Sequence, residues 1–237
     1  MRYDIAINNI TAILMFCFYN DIRSFFIIRK FPLILIKGLI IGIIFDAHWV
    51  VAKKDPPPLT PQALVNAAAV QIGKTILYDP SYRKISFPLG DVPMKTGVCS
   101  DVIIRAFRVF GIDLQKNVAE SIALNPALYK KHLTKGRRDS NIDHRRVKIL
   151  SIYFKKKGWE KKTHAYTAGD ILVFDLGHGQ WHIALVSCRR SADKKRLLII
   201  HNIGMGVQEE DAINAFTLLH RFRPGFRPSK PTPKPAL

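Results

Sequence analysis

Acidic residues and cysteines are both scarce in this chain. Its 237 residues carry 18 Asp and Glu against 37 Lys and Arg, a formal charge of +19 at pH 7. Only five of those cations and three of the acids fall in the first 52 residues, so the excess belongs to the remainder. Such a balance disfavours a basic partner and points to an anionic one: nucleic acid, lipid headgroups or an envelope polymer. Three cysteines, Cys17, Cys99 and Cys188, are too few for a disulfide framework. No tight pair of Cys or His marks a structural zinc motif, and no internal repeat marks a solenoid. A long uncharged run is missing too: the apolar stretch after Arg29-Lys30 is broken by Lys37 and ends at Asp46, short of the ~18 residues of a membrane span.

What is present divides the chain. Residues 1–52 are apolar runs, read as a secretory signal cut after Ala52 or, alternatively, an uncleaved N-terminal anchor. Residues 53–59 form a Pro-rich linker, 60–224 one domain, and 225–237 a basic Pro-rich tail expected to be extended. Thr60 as cap and Pro61 at the first position predict a helix to about Gly73. A second is predicted from a Thr96 cap to Gly111, with Val98, Val102, Ile103, Ala106, Phe107 and Phe110 at helical spacing. Shorter helices are expected near 117–124 and 126–133, and another from Arg145 to Lys157. From Gly169 the period changes to short apolar runs, "GDILVFD", "WHIALVSC", "RLLIIHN" and "FTLLHRF", read as an antiparallel meander. Helices followed by strands predict an α+β domain, N-terminal helices packed on a C-terminal antiparallel sheet.

Cys99 falls at the start of the second helix, where the macrodipole favours thiolate and lowers the thiol pKa. A nucleophilic cysteine needs a base, and the base needs a group to hold its ring. His182 opens one predicted strand and His201 closes the next. With the turn at Arg189–Lys194, a hairpin places His182 opposite His201, Ala184 opposite Ile199 and Val186 opposite Leu197. A slip of one residue would send the rings to opposite faces. Packing of Cys99, polar strand-end roles for the histidines, and a zinc site from Cys99, His178, His182 and His201 stand as the competing readings. A Cys99–Cys188 disulfide competes as well, and it excludes contact between Cys99 and His182, because the strand from His182 to Cys188 spans about 20 Å.

The stretches "IGKTILYDPSY", "GDVPMKTGVCSDVIIRAFRVFGIDLQ", "DSNIDHRRV", "AGDILVFDLG", "WHIALVS" and "IIHNIGMGVQEED" together resemble the bacterial family called domain of unknown function 1287. That family in turn is similar to the NlpC-type papain-like cysteine peptidases, whose helix-start Cys, "GD-hydrophobic" strand, strand-opening His and later polar residue match Cys99, Gly169-Asp170, His182 and His201. The resemblance implies a papain-like fold, with Cys99 attacking an amide carbonyl, His182 taking the thiol proton and His201 fixing its tautomer. It implies a substrate-facing tyrosine at Tyr78, with Tyr82 as competitor, and no cofactor. The chain departs from the peptidase pattern in reading Val98-Cys99-Ser100-Asp101, with the carboxylate after the nucleophile.

Asp101 is grouped with the substrate-binding residues or complements the helix dipole. Asp143, His144, Arg145 and Arg146 bind an anionic substrate group or, alternatively, Asp143 caps the next helix while the arginines are solvated. Trp181 lines the cleft. The function expected is an exported cysteine hydrolase, in the periplasm or cell envelope, cleaving an amide in peptidoglycan stem peptides. Nucleic acid is set aside for want of a motif. A wall-binding module with an inert Cys99, and acyl transfer by the same Cys-His pair, are the alternatives.

Overall fold

The structure, a computed structural model, describes residues 55–163 and 165–226; the apolar N-terminal segment expected to be a signal or anchor and nearly all of the tail lie outside them. The first helix, α1 (Pro61–Ala69), begins as the sequence predicts: the Thr60 hydroxyl accepts the Ala63 N–H at 3.2 Å and Pro61 takes the first position. It stops short of Gly73 and buries Leu64, Val65, Ala67 and Ala68. Two short strands, β1 (Leu77–Tyr78) and β2 (Thr96–Gly97), then pair in parallel and bring the chain to α2 (Cys99–Arg108).

Thr96 is not the cap of α2. It sits in β2 with its hydroxyl donating to the Pro93 carbonyl, and Val98 occupies the cap position. Valine has no side-chain acceptor, so the reach back comes from inside the helix: the Asp101 carboxylate accepts the Val98 N–H at 2.7 Å. Every residue from Cys99 to Phe107 is buried, which makes α2 the central helix of the core rather than an amphipathic surface one.

Asp113 caps α3 (Leu114–Leu124) by accepting the Gln115 N–H, three residues ahead of the expected start. The predicted helix over 126–133 stops early as α4 (Pro126–Tyr129), and single 3₁₀ turns follow. A third such turn, Asp143–Arg145, leads into α5 (Val147–Lys156). Asp143 does not cap α5: its carboxylate turns back to the Asp139 N–H at 2.7 Å.

The sheet has one strand more than the sequence predicts. Its order is β6-β5-β4-β3-β7, antiparallel throughout: β3 (Ile171–Asp175), β4 (Trp181–Arg190), β5 (Leu197–Asn202), β6 (Val207–Glu210) and β7 (Thr217–Phe222). Strands β3 to β6 form the meander, while β7 crosses back to the far edge beside β3. In "VQEE" one apolar residue is too little to show a two-residue period, so β6 escapes sequence reading.

Alternation divides the sheet cleanly. Ile171, Val173, Ile183, Leu185, Ile200 and Phe222 join the main core with the helices, Cys99 included. Leu172, Phe174, Ala184, Val186 and Ile199 pack on the other face with Ile213, Phe216 and Leu218. The Gly169-Asp170 pair is a structural clamp. Gly169 has φ +82° and a Cβ there would meet Pro61 and Phe226 at 3.0 and 2.9 Å. The fully buried Asp170 carboxylate holds the guanidinium groups of Arg221 and Arg223, each at 2.8 Å.

Candidate functional site

His182 and His201 meet. Nε2 of His182 lies 2.8 Å from Nδ1 of His201, with both rings buried. The contact survives a register that differs from the expected one: the strands pair Leu185 with Ile200 and Val186 with Ile199. The turn falls at Ser191–Arg196 rather than Arg189–Lys194, and a bulge between Val186 and Arg190 takes up part of the difference. The net slip is even, so both rings stay on one face as diagonal neighbours, crossing at 69°. Phe216 closes over His182 with ring centroids 6.0 Å apart.

A third side chain completes the line. Nε2 of His201 is 2.9 Å from Oε2 of Glu210, on β6. A carboxylate only accepts, so His201 carries its proton on Nε2 and presents a bare Nδ1 to the Nε2–H of His182. His182 Nδ1 is thereby left unprotonated. Glu210 lies in the strand that the sequence conceals; its one signal is an acid in a chain poor in acids.

Cys99 stands at the opening between the two histidine strands. Val186 gives its N–H to Asp170 on the β3 side, so alternation turns the N–H of Ile183 toward β5. The ladder with β5 begins only at Leu185, and the Ile183 N–H serves Cys99 instead. Asn202, fully buried at the end of β5, ties this corner down by donating to the Gly97 carbonyl at 3.0 Å. Cys99 packs in the helix-side core while alternation turns both imidazoles to the opposite face with Phe216, and among the described residues no hydrogen bond joins the sulfur to either ring.

The thiol is not the lowered one that a helix start alone predicts. Burial pushes it up to about 11, with the Asp101 charge adding to the rise, against the opposing N–H groups of Ile183, Ser100 and Cys99 itself. Burial likewise pushes His182 down to about 3, helped by His201. The resting pair is therefore neutral thiol and neutral imidazole.

The other residues of the expected site disperse. Tyr78 is close enough to feel the thiol: burial, then the charges of Cys99 and Asp101, push its hydroxyl up to about 12. Tyr82 is elsewhere, exposed and held by Asn141. Asp101 and Arg145 face each other, not a substrate. Arg145 grips both Asp101 oxygens, Nε at 2.9 Å and the terminal nitrogen at 2.8 Å, while its carbonyl takes the Ser100 hydroxyl at 2.7 Å. Arg145 is thus neither solvated nor free for an anion; it anchors the first turn of α2. Asp143 and His144 line a separate pocket of about 310 Å³ floored by Val118 and Ile122. Trp181 points to the helix side, under the Lys148 ammonium at 5.3 Å.

The zinc set does not assemble, and among the described residues no group of three or more His, Cys, Asp or Glu is placed to hold a metal ion. Cys99 and Cys188 are both free thiols, one buried and one exposed.

A family model, described as a domain of unknown function (DUF1287), matches residues 65–224. The chain belongs to that family. It is also similar to "Uncharacterized protein YijF" of Escherichia coli (strain K12), 41% identical over 189 residues that cover 76% of this chain and 92% of that protein. No solved structure matches. The match takes in Cys99, His182, His201 and Glu210, so this member of the family carries the whole line within its family domain.

Acid should loosen this arrangement. Burial holds His144 down to about 4 as well as His182 to about 3, from 6.5 in the unfolded chain. Below 6.5 the unfolded chain binds protons that the folded one refuses, so stability drops as the pH is lowered, by up to ~1.4 kcal/mol per pH unit for each histidine. Thermal melting at pH 7, 5.5 and 4.5 should show a steady drop that His144→Asn lessens; a flat series contradicts the burial argument.

Proposed function

We propose that this protein is a cysteine hydrolase of papain-like type that cleaves an amide bond, in the stem peptides of peptidoglycan. The observation that supports the reading is the line His182–His201–Glu210, which leaves His182 Nδ1 bare for a proton, with Cys99 taking the N–H of Ile183, the residue after that base.

In the first step Cys99 Sγ bonds to the amide carbonyl carbon and its proton passes to His182 Nδ1. The carbonyl oxygen becomes an oxyanion beside the N–H of Cys99 at the start of α2. Collapse breaks the C–N bond, the imidazolium protonates the leaving amine, and a thioester remains. Water, giving its proton to His182, then releases the acid and restores the thiol. His201 and Glu210 touch no substrate; they position His182 and hold its tautomer. Tyr78 flanks the thiol on the substrate side.

The substrate rests on two supports. The apolar N-terminal segment reads as an export signal, and the basic excess suits an anionic wall polymer. One observation favours a second reading, a wall-binding module with an inert thiol: Cys99 is only 5% exposed.

Incubation with purified peptidoglycan separates them. Wild-type protein should release soluble fragments with new amino termini, and Cys99→Ala should release none above the no-enzyme control. Equal release by both proteins removes Cys99 from the chemistry; binding without release by either supports the module.

A further inference from the structure

A second pocket opens on the helix side of the sheet, of about 270 Å³, lined by His132, Arg146, Val147, Lys148 and Trp181. Its polar groups are donors. Among the described residues neither Arg146 nor Lys148 has an ion-pair partner, although most arginines of the domain are paired to carboxylates. Asp139 and Asp143 feel the charge of Arg146, but neither bonds to it. Arg146 spends one terminal nitrogen on the Thr134 hydroxyl and leaves its Nε buried without any acceptor. A buried donor without an acceptor is costly, so the Arg146 guanidinium keeps hydrogen-bonding capacity that its neighbours do not use. Lys148 stands over the indole of Trp181, so the pocket joins a flat aromatic wall to two fixed positive charges.

From these residues we infer an oxyanion-binding subsite in which Arg146 and Lys148 hold a carboxylate or phosphate group against the Trp181 ring. Arg146 supplies a guanidinium edge suited to two oxygens of one anion, and Lys148 a point charge. His132, held below its ordinary value by burial and by Lys131 and Lys148, adds a neutral ring nitrogen at the rim. Trp181 packs on the helix-side core that also holds Cys99, whereas His182 turns to the other face of β4, so the subsite lies on the thiol's side of the sheet. The assignment rests on the hydrolase reading and deepens it by giving the substrate an acidic group.

The test uses full-length Cys99→Ala protein, so that hydrolysis is not needed for a signal and failure of the catalytic reading leaves this one intact. Tryptophan fluorescence is followed while inorganic phosphate, an acetylated dipeptide with a free carboxylate, and the same dipeptide as its amide are added. Trp181→Phe identifies the responding ring. Saturable binding of phosphate or of the free acid, at least tenfold weaker for the amide and tenfold weaker in Arg146→Gln/Lys148→Gln, supports the subsite, and the better of the two ligands names its source. Failure of both oxyanions to saturate, or equal titrations in the variant, overturns it. Backbone amide shifts at Val147 and Lys148 give the same answer without the fluorophore.

Discussion

His182→Ala should lower peptidoglycan turnover by at least ~10³-fold, the scale on which a catalytic base is lost when its nucleophile stays in place. The fold should survive, because the ring packs on the sheet face away from the helices, against Phe216. Removing a partner further along the line should cost less. Glu210→Gln keeps the shape but can donate as well as accept, so His201 no longer has one enforced tautomer and the base is mis-protonated part of the time. A loss of about tenfold in kcat is expected, with KM little changed, since Glu210 touches no substrate. The pH profile carries a separate signature. His182 accepts a proton only when neutral, which holds above about 3, and the thiol has a proton to give below about 11. The free enzyme should therefore show a kcat/KM without inflection between pH 6 and 9. A step near 6.5 would mean an ordinary exposed histidine, and wild-type activity in His182→Ala would remove it from the reaction.

The second large effect is on stability. Asp101→Ala should destabilise the domain by about 3–5 kcal/mol, because it leaves the Arg145 guanidinium buried without its counter-charge and the Val98 N–H without its acceptor. Against a typical total of 5–15 kcal/mol that is a large share. Arg145→Ala should cost a similar amount by stranding the carboxylate, and the double variant should cost less than the sum of the two. Denaturant unfolding followed by circular dichroism reads all three. A change below 1 kcal/mol in either single variant would show that the pair is not what fixes the first turn of α2. Activity should suffer in each, through displacement of Cys99 rather than through lost contact with substrate.

These two predictions draw on residues of different visibility in the sequence. The thiol at a helix start and the histidines at strand ends follow from local pattern, and the Thr60–Pro61 start of α1 is a purely local signal that the structure reproduces. The pairing of the two rings needs one nonlocal quantity, the hairpin register. The expected register differs from the observed one by an even step, and a two-residue repeat makes even steps harmless to the question of which face a ring occupies. The Asp101–Arg145 pair joins residues 44 positions apart, and no periodicity encodes such a contact. A buried arginine also looks like a solvated one until its partner is known. Glu210 is hidden for a third reason: β6 takes its strand conformation from hydrogen bonds to β5, not from apolar alternation of its own. The thiol pKa runs against expectation because a helix dipole is visible in sequence and burial is not, and here burial is the larger effect.

The central question is whether Cys99 bonds to a substrate-like electrophile with His182 as its base. Full-length protein is incubated at pH 7 with a peptide chloromethyl ketone that carries a stem-peptide sequence. Attack by the sulfur on the methylene carbon expels chloride and leaves a stable thioether, and the labelled residue is located by mass spectrometry. The predicted result is fast labelling of Cys99 in the wild type, lost in His182→Ala, and no faster reaction of exposed Cys188 than of a free thiol in solution. No adduct on Cys99, or an adduct that forms as fast without the His182 ring, would contradict it.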